Sequence, residues 1–584
     1  MLGDLKKLIE DINKNEKIFI NDSIALLLEN ELSKDDLRTL LMIPELHEII
    51  GLKNSSLESM ASKSDKNEGG QQNNLNNKNA EYLLTSISPN KLRSWQLLWL
   101  YFHGIRYLYL FSDKDTHANK IVLLNILIER IFFLHYSLAI KAYSKLDKYR
   151  FTKAIVRYIG ESYYKLAIKN FLNHYDNNNH SAVYAKKNKV HYFVGSLGPG
   201  GSERQLVNTS IGIIKKGWRV EVSYEGNNND SDKYYVDVLE QNKITVRKIK
   251  KDINNYKFDK NVNNKLREYL INFNKNKLSP FEKALCPYIL EILESKPQVV
   301  HAWLDHTNVM VGLSALVVGV PRIILSQRSV APDNFLLYSP KMKPAYLALI
   351  RSSRVTLINN SYAGAQDYYR WLGLESKKIN VIYNGYNSAQ KTFSRQNVEK
   401  IRQQFNIPLN APVVGSVFRF YEEKRPFLWI DIAFEVLKLN PSVYFLLAGD
   451  GILRPDAEKY AKKLGVEPRI KFTGVTASPL TTIKAMDVFL LCSRKEGLPN
   501  VLIEAQAVGV PVVSTDAGGA SETVINGETG YIIDDSKPEK IAAVIVKMLD
   551  NKIWLKKAGI KAAEFANNKF AMERMITETV AIYN

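Results

Sequence analysis

At 584 residues and 66.6 kDa the chain exceeds one ordinary core, and about three to four domains are expected. A hydrophobic content of 45% excludes a largely disordered chain, and two cysteines set in apolar runs, Cys286 and Cys492, argue for buried thiols in a reducing compartment rather than a disulfide or a zinc site. The formal charge of +20 is regional: residues 1–50 hold 6 Lys/Arg against 11 Asp/Glu, and residues 141–190 hold 11 against 3.

Residues 1–61 have helical periodicity with turn breaks and form a helical module, in which Asp22 or Ser23 suits a cap. The N-terminal run MLGDLKKLIEDINKNEKIF lacks the unbroken apolar core of a signal peptide, so a cytoplasmic chain is the default. Residues 62–80, SKSDKNEGGQQNNLNNKNA, are a flexible linker. Residues 81–185 form a helical extension whose apolar runs are broken by His103, Arg106, Asn125, Glu129, Arg130 and His135, which fits amphipathic helices better than membrane spans. The extension's basic part is interleaved with Tyr143, Tyr149, Tyr158, Tyr163 and Tyr164. It suits contact with anionic lipid, as at the inner face of a cell membrane, with nucleic acid or with an acidic saccharide; a solvated helix face, or a helical domain packing on itself or on the catalytic part, explains the same residues.

From Lys189 strands alternate with helices, which implies parallel βαβ units and an α/β fold. A first Rossmann-like domain is placed at 186–379 and a second at 380–565, with Asn380 to Leu409 joining them. A C-terminal helical segment, 566–584, finishes the second half and is a candidate to cross back to the first. Two such domains facing each other make a cleft.

The chemistry-bearing residues collect at strand ends. Gly195, Gly198, Gly200 and Gly201 follow a strand and open a helix, where glycines allow close backbone approach and unpaired amides suit a phosphate. Their spacing misses the dinucleotide fingerprint, which lowers the case for NAD. Arg419 and Lys424, after VVGSV, are placed to clamp a diphosphate, although a solvated charged turn with Glu422, Glu423 and Arg425 is the plainer reading. His301 and His306 bracket a polar loop with Asp305 and Asn308, and either histidine can orient a sugar there. Asp230 and Asp232 sit in a solvated run and are discounted as metal ligands. Glu496 and Glu504, eight positions apart, are set by Gly497 and Pro499 on a loop and on the helix after it. In a doubly wound sheet that is the ligand crevice, and the two acids read as hydroxyl readers, one for a sugar and one for a ribose.

Together GPGGSERQL, Arg419 to Lys424, LLAGDG (Leu446 to Gly451), FTG (Phe472 to Gly474) and EGLPNVLIEAQAVGVPVV resemble the family-4 retaining glycosyltransferases of the GT-B fold, over roughly two thirds of the chain. The resemblance implies a nucleoside-diphosphate sugar as donor and a glycan or lipid-linked saccharide as acceptor, in bacterial surface polysaccharide or glycolipid synthesis. No metal and no other cofactor is expected, since the Arg/Lys pair supplies the charge, and no nucleic acid is expected as a partner. It further implies that Glu496 meets the donor sugar, Glu504 the ribose, and the backbone at Leu498, Asn500 and Val501 the diphosphate, with Gly449 in a strand-end signature of the donor half. Many relatives carry His-x-His where this chain has His301 and Trp303, so the active-site histidine is His301 or His306. A sugar-nucleotide epimerase or hydrolase on the same fold, or an inactive transferase half with a basic membrane- or nucleic-acid-binding module, are the competing readings.

Overall fold

In the computed structural model the described residues are 150–175, 185–226, 230–249, 264–274, 277–335, 338–375, 378–387, 394–533 and 537–584. The helical module at 1–61, the linker at 62–80 and most of the extension at 81–185 lie outside them. The chain divides into two compact units, residues 1–159 with 276–281 and residues 160–275 with 282–584. Both sheets lie in the second unit.

The first sheet is built from β1 (Lys186–Val194), β2 (Arg219–Tyr224), β3 (Thr245–Lys248), β4 (Pro297–Trp303), β5 (Arg322–Gln327), β6 (Val355–Asn359) and β7 (Ile379–Val381), in the order β3-β2-β1-β4-β5-β6-β7. The second holds β8 (Val413–Val417), β9 (Tyr444–Ala448), β10 (Ile470–Gly474), β11 (Val488–Leu491), β12 (Val512–Thr515) and β13 (Gly530–Ile533), in the order β10-β9-β8-β11-β12-β13. Every pairing is parallel. Helices cover both faces of such a sheet, so its central strands are apolar on both sides rather than alternating. Val488 to Leu491 are accordingly all buried, as are Val190 to Val194. In each sheet the strand order reverses between two neighbours, β1 and β4 in the first and β8 and β11 in the second. Those switch points are where loops diverge and leave a crevice.

One expected boundary shifts, and the C-terminal crossing takes a definite form. Strand β7 pairs with β6, so the first domain runs past residue 379 to Val381. The segment leaving it meets the C-terminal crossing directly: the Tyr386 amide donates to the Phe570 carbonyl at 2.6 Å and the Met572 amide to the Tyr386 carbonyl at 3.1 Å. The helix Met572–Ala581 then returns to the first domain, where Met575, Ile576 and Tyr583 join Val207 and Ile213 in one core. Met575 and Ile576 are 2% and 5% exposed, and burying each adds roughly 1.5–3 kcal/mol. Gly212 on the facing helix has no Cβ because the Ile576 side chain fills that place.

At the other end, the helix Arg150–Tyr175 enters the described residues. From Gly160 its apolar side is turned inward: Tyr163, Tyr164, Ile168, Phe171 and Tyr175 are buried, while Lys165 and Lys169 are exposed. Tyr175 packs edge-on to Tyr269 at 4.9 Å between centroids, and Tyr338 donates to the Glu161 carboxylate. For this turn of the basic stretch, packing on the α/β part is what the tyrosines do; Tyr143, Tyr149 and Tyr158 lie outside the described side chains. Cys286 and Cys492 are buried and unbonded, and burial pushes both thiols up to about 12. Among the described residues no helix is long and apolar enough to cross a membrane.

Candidate functional site

Strand β11 ends at Leu491, and the chain then turns through Cys492 to Pro499 before the helix Asn500–Ala507 begins. Pro499 is the residue before the helix and has no side-chain acceptor to offer, so the first amides, those of Asn500 and Val501, lack an intrahelical carbonyl. Expected and observed helices agree here to one residue, and Gly509 ends the turn at φ +78°. Glycine is required at 497: a Cβ there would lie 2.5 Å from the Arg328 carbonyl oxygen of the first domain. The loop carrying Glu496 is therefore pressed backbone to backbone against the opposite half.

Glu496 forms an ion pair with Lys424, both largely buried, with side-chain exposures of 12% and 18%. Lys424 stands on a single 3-10 turn, Glu422–Lys424, after β8. What holds that turn is its neighbour Arg425, at φ +50°, which donates to the Cys492 carbonyl at 2.5 Å, the Ser493 carbonyl at 3.1 Å and Thr515 Oγ1 at 3.2 Å. One guanidinium thus ties the ends of β8, β11 and β12 together. Arg419 is exposed at the strand end, with its guanidinium 5.5 Å from the Tyr421 ring centroid. Gly449, expected at the donor site, sits at the end of β9 at φ +125°, where a Cβ would strike the Phe418 carbonyl; its place is backbone packing one residue from Arg419.

Glu504 is 7% exposed and paired with Arg204 of the first domain, 300 positions away. Burial pushes its carboxyl above the usual range, and the Arg204 charge and hydrogen bond pull it partly back. Arg204 lies on the helix Gly201–Lys215, which the glycine loop opens. Asn500 joins the same junction, donating to the Gly201 carbonyl at 3.2 Å and accepting from Gln205 at 3.2 Å and from Asn384 at 2.7 Å. Leu498 buries its side chain with Tyr386 and Phe570, and its carbonyl accepts from Asn384 at 3.2 Å.

Some expectations need correction. The helix after the glycine loop does not present bare amides: the Glu203 carboxylate folds back over Gly200, at the place a Cβ would occupy. Burial raises the Glu203 carboxyl, and its own backbone amide and the Arg419 charge across the cleft lower it. Gly200 and Gly201 therefore offer close approach but meet an anion with a carboxylate. His301 is not on a loop. It lies within β4, fully buried and paired in register with Tyr192 and Ile324, with Nδ1 2.7 Å from the Tyr583 hydroxyl. Burial, with Arg328 adding to it, holds its pKa well below the ordinary value, so it is a neutral core histidine. Asp305 and Asn308 are likewise turned inward, onto the Tyr346 hydroxyl at 2.7 and 2.9 Å. His306 is the reachable one, half exposed in the first turn of the helix Asp305–Val318 with Nε2 3.9 Å from the Glu225 carboxylate. Asp232 contributes its backbone, accepting from the Leu197 amide at 3.0 Å to close the glycine loop.

The sequence left four contributors unassigned: Arg204, Arg425, Asn384 and Arg328. Arg204 lies inside the quoted motif GPGGSERQL, Arg425 stands in the sequence only as part of a solvated charged turn, and Asn384 precedes Gly385 just after β7, a strand-end turn signal.

Residues 397–569 match the family model described as glycosyl transferases group 1. The Vi polysaccharide biosynthesis protein VipC/TviE of Salmonella typhi is 36% identical over 403 residues, covering 65% of this chain and 69% of that protein. The lipopolysaccharide core biosynthesis glycosyltransferase LpsE of Rhizobium meliloti is 36% identical over 153 residues, covering 26% of this chain and 44% of that one. Among solved structures, HepE of Anabaena in complex with UDP-glucose is similar with a TM-score of 0.55 at 21% identity, covering 67% of this chain and 99% of that one. That last likeness is one of fold, and the two switch-point crevices with the crossing C-terminal helix agree with it. With a fold of the GT-B type and a relative this similar over most of its length, the chain belongs to the glycosyl transferases group 1 family.

Proposed function

We propose that this chain is a retaining glycosyltransferase that moves a sugar from a nucleoside-diphosphate donor to a saccharide acceptor, glycan or lipid-linked, in surface polysaccharide or glycolipid synthesis. One observation carries the reading: the Lys424–Glu496 and Arg204–Glu504 pairs flank the uncapped start of the helix Asn500–Ala507 at a switch point. An anion is favoured at such a helix start, and carboxylates beside it accept from hydroxyls. HepE, similar in fold, is in complex with UDP-glucose, and the two sequence relatives are named for polysaccharide and lipopolysaccharide synthesis.

In this reading the diphosphate takes the amides at Asn500 and Val501 with that at Leu498, and Arg419 and Lys424 supply positive charge without a metal. Glu496 grips donor-sugar hydroxyls, and Glu504 shares itself between Arg204 and the ribose. The bond from C1 to the phosphate oxygen breaks as the bond to the acceptor oxygen forms on the same face, and the departing phosphate takes the acceptor proton. His306, reachable from solvent, is the histidine left to orient a sugar. The basic extension offers a peripheral membrane contact that would bring a lipid-linked acceptor close.

The test is a panel of sugar nucleotides ranked by thermal stabilisation, since a binder at 100 times its dissociation constant adds about 2.7 kcal/mol. The best donor is then turned over with acceptors, and the product anomer is read by proton NMR. Transfer with the donor's anomeric configuration kept is expected. Release of only free sugar or an epimer, with every acceptor present, would overturn the reading.

A further inference from the structure

Glu203 lacks what the two other site carboxylates have, a cation of its own. Glu496 is paired with Lys424 and Glu504 with Arg204. Glu203 stands part-buried in the first turn of the helix Gly201–Lys215, where its carboxylate lies over Gly200 and accepts from its own backbone amide. Among the described residues the charge that acts on it is Arg419 of the second domain, which is not within ion-pair distance. A carboxylate can accept at about four lone-pair sites, and one amide leaves most of them open. Two residues earlier, Gly201 abuts the Asn500 side chain at the start of the facing helix, so the open sites lie at the cleft. Charge decides what suits them. A diphosphate is repelled there and has Arg419, Lys424 and the helix start on the opposite wall, whereas neutral hydroxyl donors are attracted. Among the described residues Glu203 also belongs to no group of three or more His, Cys, Asp or Glu side chains that could hold a metal ion.

An aromatic surface adjoins this carboxylate. The segment leaving the 3-10 turn Asp230–Lys233 is tied to the glycine loop by two backbone bonds, from the Leu197 amide to the Asp232 carbonyl and from the Tyr235 amide to the Leu197 carbonyl, each 3.0 Å. Those bonds carry Tyr234 and Tyr235 to the flank of the loop. Tyr235 is half-buried; burial raises its phenol, Arg204 opposes the rise, and Tyr234, Glu203 and Glu504 add to it. Tyr234 stands edge-on to Tyr235 with ring centroids 4.9 Å apart, and it is 62% exposed, with Val238 one turn on at 38%. An exposed ring of this kind offers its face to the C–H side of a sugar ring, while a carboxylate nearby accepts from hydroxyls.

We propose that Glu203 and Tyr234, with Tyr235 as the buttress between them, form the acceptor-saccharide site: Glu203 accepts from hydroxyls of the sugar that enters the cleft, and the Tyr234 ring stacks on a ring of the saccharide outside it. This rests on the transferase reading above. The donor sugar is the other source of hydroxyls, and in that reading it lies with Glu496 on the opposite wall. With the full chain, calorimetry titrates maltotetraose, cellotetraose, chitotetraose and tetragalacturonate into protein saturated with UDP and, separately, with GDP. At least one of them should bind the wild type. Glu203→Gln should weaken that saccharide by more than about threefold while the bare diphosphate binds no less tightly, because the variant removes a like charge. Tyr234→Ala should also weaken it by more than about threefold, and Tyr234→Phe, which keeps the ring, should bind it within about twofold of wild type. Absence of saccharide binding to the wild type beside a bound diphosphate overturns the inference, and that comparison needs no variant to fold. A loss of about threefold or less in either Glu203→Gln or Tyr234→Ala overturns it, as does an equal loss in Tyr234→Phe. A matching loss of bare diphosphate in Glu203→Gln, or a fall confined to UDP-glucose, would assign the carboxylate to the donor and overturns it likewise. Failure of the wild type to bind either UDP or GDP overturns the transferase reading itself.

Discussion

Glu504→Gln separates binding from stability in a way that the pair's geometry makes quantitative. The carboxylate is 7% exposed and shared with Arg204. A hydrogen bond to a charged acceptor contributes about 1.5–3 kcal/mol and one to a neutral amide about 0.5–1.5 kcal/mol, so losing the charge should weaken nucleoside-diphosphate binding by about 1–1.5 kcal/mol, roughly five- to tenfold. Stability should move the other way. The folded pKa of Glu504 is raised, with burial outweighing Arg204, so its contribution is most favourable below the ordinary carboxylate pKa and is lost as pH rises through the folded value. Glutamine has no proton to lose, so the melting temperature of the variant relative to wild type should rise between pH 4 and pH 7.5. Titration calorimetry at pH 7.5 and scanning fluorimetry across that range read both effects, with turnover at saturating donor changed less than affinity. A variant that melts several degrees lower at pH 7.5 and binds the diphosphate unchanged would refute the reasoning, leaving Glu504 a purely structural partner of Arg204.

Lys424→Ala and Glu496→Ala should each cut the turnover number by about 10²–10³ with the circular dichroism spectrum kept; activity within about threefold of wild type in both would refute their role. Arg425→Ala removes the tie across β8, β11 and β12 and should cost about 2–3 kcal/mol, read as a lower melting temperature, and Arg425→Gly should not recover it because the backbone strain at φ +50° is the smaller part. Tyr583→Phe leaves His301 Nδ1 and the Tyr192 hydroxyl short of a partner and should cost about 1–3 kcal/mol, seen as faster amide exchange in Met572–Ala581; unchanged exchange there would contradict the docking.

The second sheet was legible because its strands are apolar runs cut off by Gly, Pro or Asp, as in Asp487 to Cys492. In the first sheet β3, β6 and β7 passed unnamed. They are short, and β3 and β7 are only partly buried, so neither a full apolar run nor a clean alternation marks them. His301 and His306 read as bracketing a loop because the apolar run before them ends at Val300; pairing with β1 and β5 carries β4 on to Trp303, and that extension is a tertiary fact. Within the site, local punctuation by Gly497 and Pro499 was enough to set Glu496 and Glu504 on a loop and a helix. It could not show that Arg204 meets Glu504 or that Arg328 meets Asn384, since no periodicity records a contact between elements so far apart in the chain. The same limit hid Glu203 folding over Gly200, where a glycine loop alone suggests an open phosphate site.

In the proposed function a diphosphate lies between Arg419, Lys424 and the start of the helix Asn500–Ala507. The most direct measurement is calorimetric titration of a nucleoside diphosphate and of its bare nucleoside into the wild type and the Arg419→Ala/Lys424→Ala double variant. The diphosphate should bind the wild type at least about 100-fold more tightly than the nucleoside, and that gap should shrink to about tenfold or less in the double variant. A gap that is absent in the wild type, or that persists unchanged without the two cations, would contradict the account.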